Sequence, residues 1–246
     1  MSVIPLVTIF KLISFVLSGV AALKIREAWK RNPRDENLYY FYRYFIFVSV
    51  IFFSFVVLPF VKDLRIIQGF FYITNFAIFI CAGYLYRIVL AFTYFKNIGD
   101  VVFRIGILLA FLTTIFGIFS FQPAIAMTYS FAGYTFVDWA INLPFWLVVF
   151  CAIIAIIANT VVTILFLSKG LRGEDQYIRI RSSLLGLGMF MLGVAAFIFY
   201  TAGTLTFLGI VRDLIHGIVS VLSAGFIVAG IFFKRKNHIL NNNLSV

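Results

Sequence analysis

The last apolar run, residues 213–233, contains four polar side chains whose spacing places them on one side of a helix. Asp213, His216, Ser220 and Ser223 follow one another at intervals of three or four residues, and side chains at these intervals share a helix face. An ionisable pair in a membrane-spanning helix is costly unless it faces a bundle interior or a partner charge. The pattern therefore predicts that this helix packs against other helices.

A lysine in the first apolar run is the second candidate for chemistry. Lys11 follows ten residues of chain, about 15 Å of helix, so its ammonium starts near the middle or outer half of a bilayer. Two interpretations are open: the side chain snorkels to the outer interface, or it is an interior charge with a partner. Because the first and last helices of a seven-helix ring are neighbours, we predict that Lys11 pairs with Asp213 beside His216.

Amide side chains in the third and fifth apolar runs complete the candidate site. Asn75 and Asn159 are each more often interhelical hydrogen-bonding groups than ligand contacts. Taken together, the polar residues nevertheless predict a polar interior towards one end of the bundle, suited to a ligand or an ion pathway. The candidate residues are Lys11, Asn75, Asn159, Asp213, His216 and Ser220.

Other kinds of chemistry have little support in the sequence. Cys81 and Cys151 lie in separate apolar runs, where small packing residues are the simplest interpretation. With His216 as the one histidine inside an apolar run, bis-histidine haem ligation within the chain is excluded. No zinc spacing, phosphate loop or nucleophile elbow occurs. We therefore expect no enzymatic activity, no metal site and no cofactor.

The elements that must position these residues are membrane-spanning helices. Apolar residues make up 63% of the chain and charged residues 12%, against about 45–50% and about 25% in soluble domains. The sequence predicts an all-α integral membrane protein, with one bundle of seven helices over residues 1–236 and a short tail over 237–246. The runs that reach the about 20 residues a bilayer requires are 3–23, 39–61, 66–92, 101–121, 143–167, 183–208 and 213–233.

The distribution of basic residues predicts the orientation. Sixteen lysines and arginines flank one set of helix ends and three flank the other, so the positive-inside rule places the N-terminus outside and the C-terminus in the cytoplasm of a cell membrane. The net charge of +11 then follows from topology. It requires no nucleic-acid partner, whereas contact with anionic lipid headgroups at the inner face is expected.

The connections between the runs are short, with one exception. Residues 120–142 are rich in Phe, Tyr and Trp and contain Pro123 and Gly133. This composition predicts a segment that lies in the membrane interface and caps the bundle. The remaining short turns predict antiparallel helix hairpins.

The heptahelical plan resembles that of microbial rhodopsins and of the membrane regions of prokaryotic seven-helix sensor kinases, in topology. Rhodopsins carry their Schiff-base lysine in the seventh helix, but residues 213–233 contain no lysine. We therefore expect no covalently bound retinal.

Three classes of function are compatible with the sequence. The first is a receptor or sensor that binds a small or apolar ligand in its outer half and acts through a partner at its basic cytoplasmic face. The second is a small transporter or an ion or proton pathway through the Lys11, Asp213 and His216 region. The third is an accessory subunit that packs against a larger membrane complex or against copies of itself.

Overall fold

Seven long helices and one β-hairpin make up the part of the chain that the computed structural model describes, residues 4–91, 98–120, 122–131, 133–142, 145–173, 175–201 and 209–233. All seven helices are long and apolar enough to cross a membrane, as expected for a multi-pass membrane protein. They are α1 (Ile4–Arg31), α2 (Glu36–Val57), α3 (Leu64–Ala91), α4 (Gly99–Ser120), α5 (Phe145–Arg172), α6 (Gln176–Thr201) and α7 (Gly209–Phe232).

The helices match the seven predicted apolar runs, with different ends. α1 continues past the predicted limit of residue 23 to Arg31, and α6 begins at Gln176 rather than at residue 183. These extensions carry charged residues, which hydropathy leaves out of a span although a helix can continue through them. Residues 202–208, the predicted end of the sixth run, and the tail over 237–246 lie outside the described residues.

Aspartates fix the starts of three helices. The carboxylate of Asp35 accepts hydrogen bonds from the backbone N–H groups of Asn37 and Leu38 at 3.0 and 3.4 Å. Asp63, directly before α3, accepts a hydrogen bond from the backbone N–H of Arg65 at 2.8 Å. Asp175, directly before α6, accepts one from the backbone N–H of Tyr177, also at 2.8 Å. Such caps satisfy amides that have no partner within the helix. Asp63, an exposed residue of the α2–α3 connection, thus has a local structural role.

The main packing contacts form a closed ring of six helices. α1 packs on α2, α2 on α3, α3 on α5, α5 on α6, α6 on α7 and α7 on α1. The expected contact between the first and last helices is therefore confirmed. α4 packs chiefly on α3 and lies at the periphery of the ring. We call the end of the bundle that carries the α2–α3 connection and the β-hairpin the hairpin end, and the opposite end, with Arg31 and Arg172, the basic end.

The connection between α4 and α5, which is predicted to lie in the membrane interface and to cap the bundle, forms a β-hairpin. Strands β1 (Gln122–Phe131) and β2 (Tyr134–Asn142) pair antiparallel, and Phe131 stands opposite Tyr134 at the turn. Gly133 in the turn has φ = 81°, a conformation that glycine adopts without a steric penalty. β2 contacts the 3-10 turn Leu58–Phe60 that follows α2. The fold therefore combines seven long helices with one β-hairpin.

Candidate functional site

The polar face of α7 points into the bundle at the residues whose side chains are described. His216, Ser220 and Ser223 are all buried. The Ser220 hydroxyl donates to the His216 carbonyl at 2.6 Å, and the Ser223 hydroxyl donates to the Gly188 carbonyl of α6 at 2.7 Å. Asp213 belongs to α7 by its backbone, but its side chain lies outside what the structure describes. For the three described residues, the inward orientation is as predicted.

Lys11 is buried in the contact between α1 and α7. Its side chain is 5% exposed, and its Nζ is hydrogen-bonded to Nδ1 of His216. The same Nζ lies 5.1 Å from the ring centre of Phe55 on α2, and the His216 ring meets Phe55 edge to face at 6.1 Å between centroids. Of the two interpretations of Lys11, this geometry agrees with the interior one and not with snorkelling.

The contact between Lys11 and His216 constrains the proton positions. A lysine ammonium has donors and no acceptor, so when Lys11 is protonated, His216 must accept through an unprotonated Nδ1. The remaining proton of a neutral imidazole is then on Nε2. The aromatic face of Phe55 adds a favourable environment for the cation. A protonated Lys11 therefore requires the Nε2–H tautomer of His216.

A cavity of ≈ 90 Å³ lies between α2, α3, α5, α6 and α7. Along α2 its lining runs from Tyr44 to Phe55, a length of about 16 Å of helix, so the space is long and narrow. Most of the lining is aliphatic, aromatic or alanine. The polar side chains that contribute to the lining include Asn159, His216 and Ser220.

Asn159 presents a hydrogen-bond acceptor that has no protein partner. Its side chain is 8% exposed, and its Nδ2 donates to the Ala155 carbonyl at 2.8 Å. Because a carbonyl only accepts, this bond fixes the amide orientation and leaves Oδ1 as the free end. Among the described residues Oδ1 has no hydrogen-bond partner. An unpaired buried acceptor is costly, and Oδ1 has almost no accessible surface of its own, so it lies beside the cavity and not in its accessible wall.

Glycine in α6 makes room for this amide. A methyl group at Gly193 would lie 2.8 Å from Cβ of Asn159, which is closer than carbon atoms can approach without displacement. The neighbouring walls are formed by small residues of α5 and α6. Small residues that let helices approach closely are typical of membrane bundles. The position of Asn159 therefore depends on a specific close contact between α5 and α6.

Asn75, the remaining predicted site residue, does not line the cavity. It is buried between α3 and α4, where its Nδ2 donates to the Thr113 hydroxyl at 3.2 Å. Cys151 Sγ, which does line the cavity, approaches Asn75 Oδ1 at 4.0 Å. Asn75 thus has the contacts of an interhelical hydrogen-bonding residue. The structure brings together Lys11, His216, Ser220 and Asn159, and it places Asn75 in a second polar cluster.

The basic end carries an ion pair of its own. Arg87 forms a salt bridge with Asp100 of α4, and its guanidinium lies 4.0 Å from the ring centre of Tyr40 on α2. Arg43 donates through Nε to the Tyr39 hydroxyl at 2.9 Å. Arg87 therefore links α2, α3 and α4. Planar stacking of this kind is a property of arginine that lysine lacks.

Several residues that line the cavity could not be recognised as site residues from the sequence. Phe55, Cys151 and the alanines of α5 and α6 have apolar or weakly polar side chains, so nothing in their chemistry marks a site. The available signal was spacing: Cys151, Ala155, Ala158 and Asn159 repeat on one face of α5. Small residues on that face left the space that the cavity occupies.

No protein-family model matches the chain, and no curated protein sequence is similar to it. The structure is that of a seven-helix protein, with helices long and apolar enough to span a membrane, a narrow internal cavity and a buried lysine–histidine contact.

Proposed function

We propose that this protein is a non-enzymatic receptor or sensor of the cell membrane that binds a small, mainly apolar ligand between its helices. The cavity among α2, α3, α5, α6 and α7 carries this proposal. Small-molecule sites are typically concave, mostly apolar and equipped with a few polar groups that fix orientation. The lining here has that composition, with Asn159, His216 and Ser220 among its polar groups.

The signal from such a ligand would leave through the basic end. Exposed cations at that end include Arg31, Arg34, Arg172 and Arg179, and the positive-inside rule supports a cytoplasmic location for them, with the N-terminus outside. A separate membrane or cytoplasmic protein, or a second copy of the chain, is the expected recipient. Anionic lipid headgroups are the expected neighbours of the same face.

Occupation of the cavity can be tested with two small probes of equal composition, 1-hexanol and dipropyl ether. Saturation-transfer NMR in nanodiscs of deuterated lipid should show contact with the wild-type protein. Ala155→Leu should reduce this contact, because Ala155 lines the cavity and is buried. Ile153→Leu is the matched control, since Ile153 on the same helix is 50% exposed. Equal signals from wild type and Ala155→Leu would contradict the proposal.

A proton or ion pathway is the second candidate function, favoured by the contact between Lys11 and His216. The two groups lie on neighbouring helices, and His216 also lines the cavity. Ionisable groups inside membrane bundles commonly belong to such pathways. The purified chain in liposomes with a pH-sensitive dye should then pass protons, and His216→Phe should abolish the flux. His238→Phe, which replaces the other histidine of the chain, is the control. Absence of flux in the wild type would rule out this candidate.

A further inference from the structure

A groove on the outside of the bundle, between α2 and α4, leads from the basic end towards the middle of the helices. Both helices pack on α3, but they share no main contact with each other. Tyr84 of α3 forms the floor of the groove, since its ring centre lies 6.0 Å from that of Phe47 on α2 and 4.7 Å from that of Phe103 on α4. We call this surface the α2–α4 groove. It is separate from the internal cavity, to which no described residue of α4 contributes.

Two arginines flank the α2–α4 groove at the same depth. Arg87 of α3 contacts both Tyr40 of α2 and Asp100 of α4, so these two positions lie at one level, and both helices run from there towards the hairpin end. Arg43 follows Tyr40 by three residues, and Arg104 follows Asp100 by four. Each arginine is therefore on the same helix side as that neighbour and about 5–6 Å nearer the middle of the bundle. Both side chains are exposed.

The charges of these two arginines are not neutralised by the part of the chain that the structure describes. Neither Arg43 nor Arg104 forms an ion pair with a described carboxylate, whereas Asp100 is paired with Arg87. Arg43 donates through Nε to the Tyr39 hydroxyl at 2.9 Å, and its guanidinium lies 5.1 Å from the Tyr39 ring centre. These contacts orient the guanidinium and leave the N–H groups of its two terminal nitrogens for another acceptor. The planar arginine fork matches the oxygens of a phosphate.

The walls of the α2–α4 groove become apolar beyond the arginines. Each arginine is followed on its own helix side by apolar residues at intervals of three or four, namely Phe47 and Val50 on α2, and Ile107 and Phe111 on α4. Val50 is 36% exposed and Phe111 54%. A cationic end that continues into an apolar channel matches the phosphate and the acyl chain of a phospholipid. A free phosphate would gain nothing from the apolar walls.

We infer that the α2–α4 groove binds one anionic phospholipid, with its phosphate between Arg43 and Arg104 and an acyl chain along the apolar walls. This is a site for one molecule per chain, in contrast to the general attraction of a basic face for anionic headgroups. The bound lipid connects α2 with α4, which the protein itself holds mainly through α3. The inference concerns the outer surface of the bundle and does not depend on ligand binding in the internal cavity.

Native mass spectrometry tests the site in the wild-type protein. The purified chain is released from micelles that contain equal amounts of phosphatidylglycerol and phosphatidylcholine with the same acyl chains. Both lipids carry a phosphate, but only phosphatidylglycerol has a net negative charge. One phosphatidylglycerol should remain bound per chain, with a preference of about five-fold over phosphatidylcholine, the usual effect of one basic residue beside an anionic lipid. Equal retention of the two lipids, or retention of neither, would overturn the inference. This comparison does not depend on any variant folding.

Paired substitutions locate the site. Arg43→Gln combined with Arg104→Gln should lower the retention of phosphatidylglycerol about 25-fold, or about five-fold for each arginine. Arg172→Gln combined with Arg179→Gln is the matched control, because it removes the same charge from two exposed arginines of α5 and α6. The control should change retention less than about two-fold. An equal loss in the two pairs would show general attraction to the basic end and would overturn the inference.

A competition experiment separates a lipid site from a phosphate site. Glycerol 3-phosphate has the phosphate of the lipid but no acyl chain, so an excess of it should leave phosphatidylglycerol bound to the wild-type protein. Release of the lipid by glycerol 3-phosphate would show that the arginines bind phosphate without help from the apolar walls, and the lipid assignment would then be wrong.

Discussion

Lys11 is buried, so its ammonium needs a partner inside the bundle and does not reach the membrane surface. Its Nζ is hydrogen-bonded to Nδ1 of His216 and lies beside Phe55. A charge in such surroundings is tolerated when opposite or accepting groups replace its hydration. The contact should therefore contribute to stability as a pair and not as two independent side chains.

A double-mutant cycle tests this pairing. Lys11→Met leaves Nδ1 of His216 without its donor, and we expect it to lower the stability in detergent by about 1–3 kcal/mol, the cost of an unpaired buried polar group. His216→Phe should also destabilise, because the ammonium loses its acceptor. The double substitution should recover much of the combined loss, as measured by thermal unfolding.

The control for this cycle is Lys62→Met. Lys62 is an exposed lysine between α2 and α3, and its substitution should change stability by no more than about 0.5 kcal/mol. Strictly additive losses for Lys11→Met and His216→Phe would show that the two residues are not coupled. The pairing of Lys11 with Asp213 stays a prediction, to be tested by the corresponding cycle with Asp213→Asn.

The polar residues were predictable from the sequence to different degrees. The inward face of α7 and the neighbouring position of Lys11 follow from helical spacing and from the cost of charge in lipid. Asn75 and Asn159 looked equivalent, because both are amides in apolar runs. Their difference depends on the side chains across the interface, since Thr113 supplies a partner for Asn75 and Gly193 makes room for Asn159. Single-sequence spacing does not encode such contacts between distant segments.

At the scale of elements, the contact between α3 and α4 is formed by glycines. A methyl group on Gly106 of α4 would lie 3.2 Å from Cα of Gly83 on α3, and one on Gly83 would lie 3.1 Å from the Phe103 ring. The opposite face of α4 is apolar and exposed, with Leu108, Phe111 and Ile115 at 46–57%. Close backbone packing is therefore the main means by which this peripheral helix is held.

Substituting a larger residue for a glycine should lower stability where the glycine is in close contact with another helix, and should not where it is not. Gly106→Leu must push α4 away from the Gly83 backbone, so we expect a loss of stability of about 1–3 kcal/mol. Gly69→Leu in α3 is the matched control, because nothing lies within 4 Å of a methyl group at that position. It should be neutral or stabilising, since leucine is a better helix former than glycine. Thermal unfolding of both variants measures the difference in stability. Equal losses of stability would show that the contact between α3 and α4 is not tightly packed.

The β-hairpin was not predicted, although its sequence carries a signal for strands. Residues 122–131 and 134–142 are rich in residues that favour strands, such as Phe, Tyr, Thr, Val and Ile, and a turn with Gly133 separates them. The same aromatic content is typical of segments in a membrane interface, and this second property determined the prediction. The helical spans were predictable because about 20 apolar residues in lipid have few alternatives to a helix. Connections outside the spans face no such restriction.

At the scale of the whole molecule, the distribution of basic residues predicts which end of the bundle faces the cytoplasm. Lys62, between α2 and α3, and Arg172, the last residue of α5, are both exposed and lie at opposite ends of the bundle. Both native cysteines are buried, so a single new cysteine should dominate the labelling by an impermeant reagent. We expect Lys62→Cys and a cysteine at position 2 to react from outside the cell, and Arg172→Cys and a label after Asn241 to react only after permeabilisation. Reaction of position 2 and of the tail from the same side would contradict the seven-span topology.

Partner binding is the property that best separates a receptor from an accessory subunit. A companion that docks on the basic end by charge should associate more weakly as ionic strength rises. Arg31→Gln combined with Arg34→Gln removes two exposed cations there, and it should reduce recovery of that companion from native membranes about ten-fold at low salt. Neutralising Lys62 and Arg65, two exposed cations at the hairpin end, is the matched control and should leave recovery unchanged.

A different result would indicate an accessory subunit. If the companion is insensitive to salt and is lost when Phe111 and Ile115 on α4 are replaced by alanine, the apolar face of α4 holds it. The accessory role would then replace the receptor role, because a subunit held through its lipid-type surface belongs to a larger membrane complex.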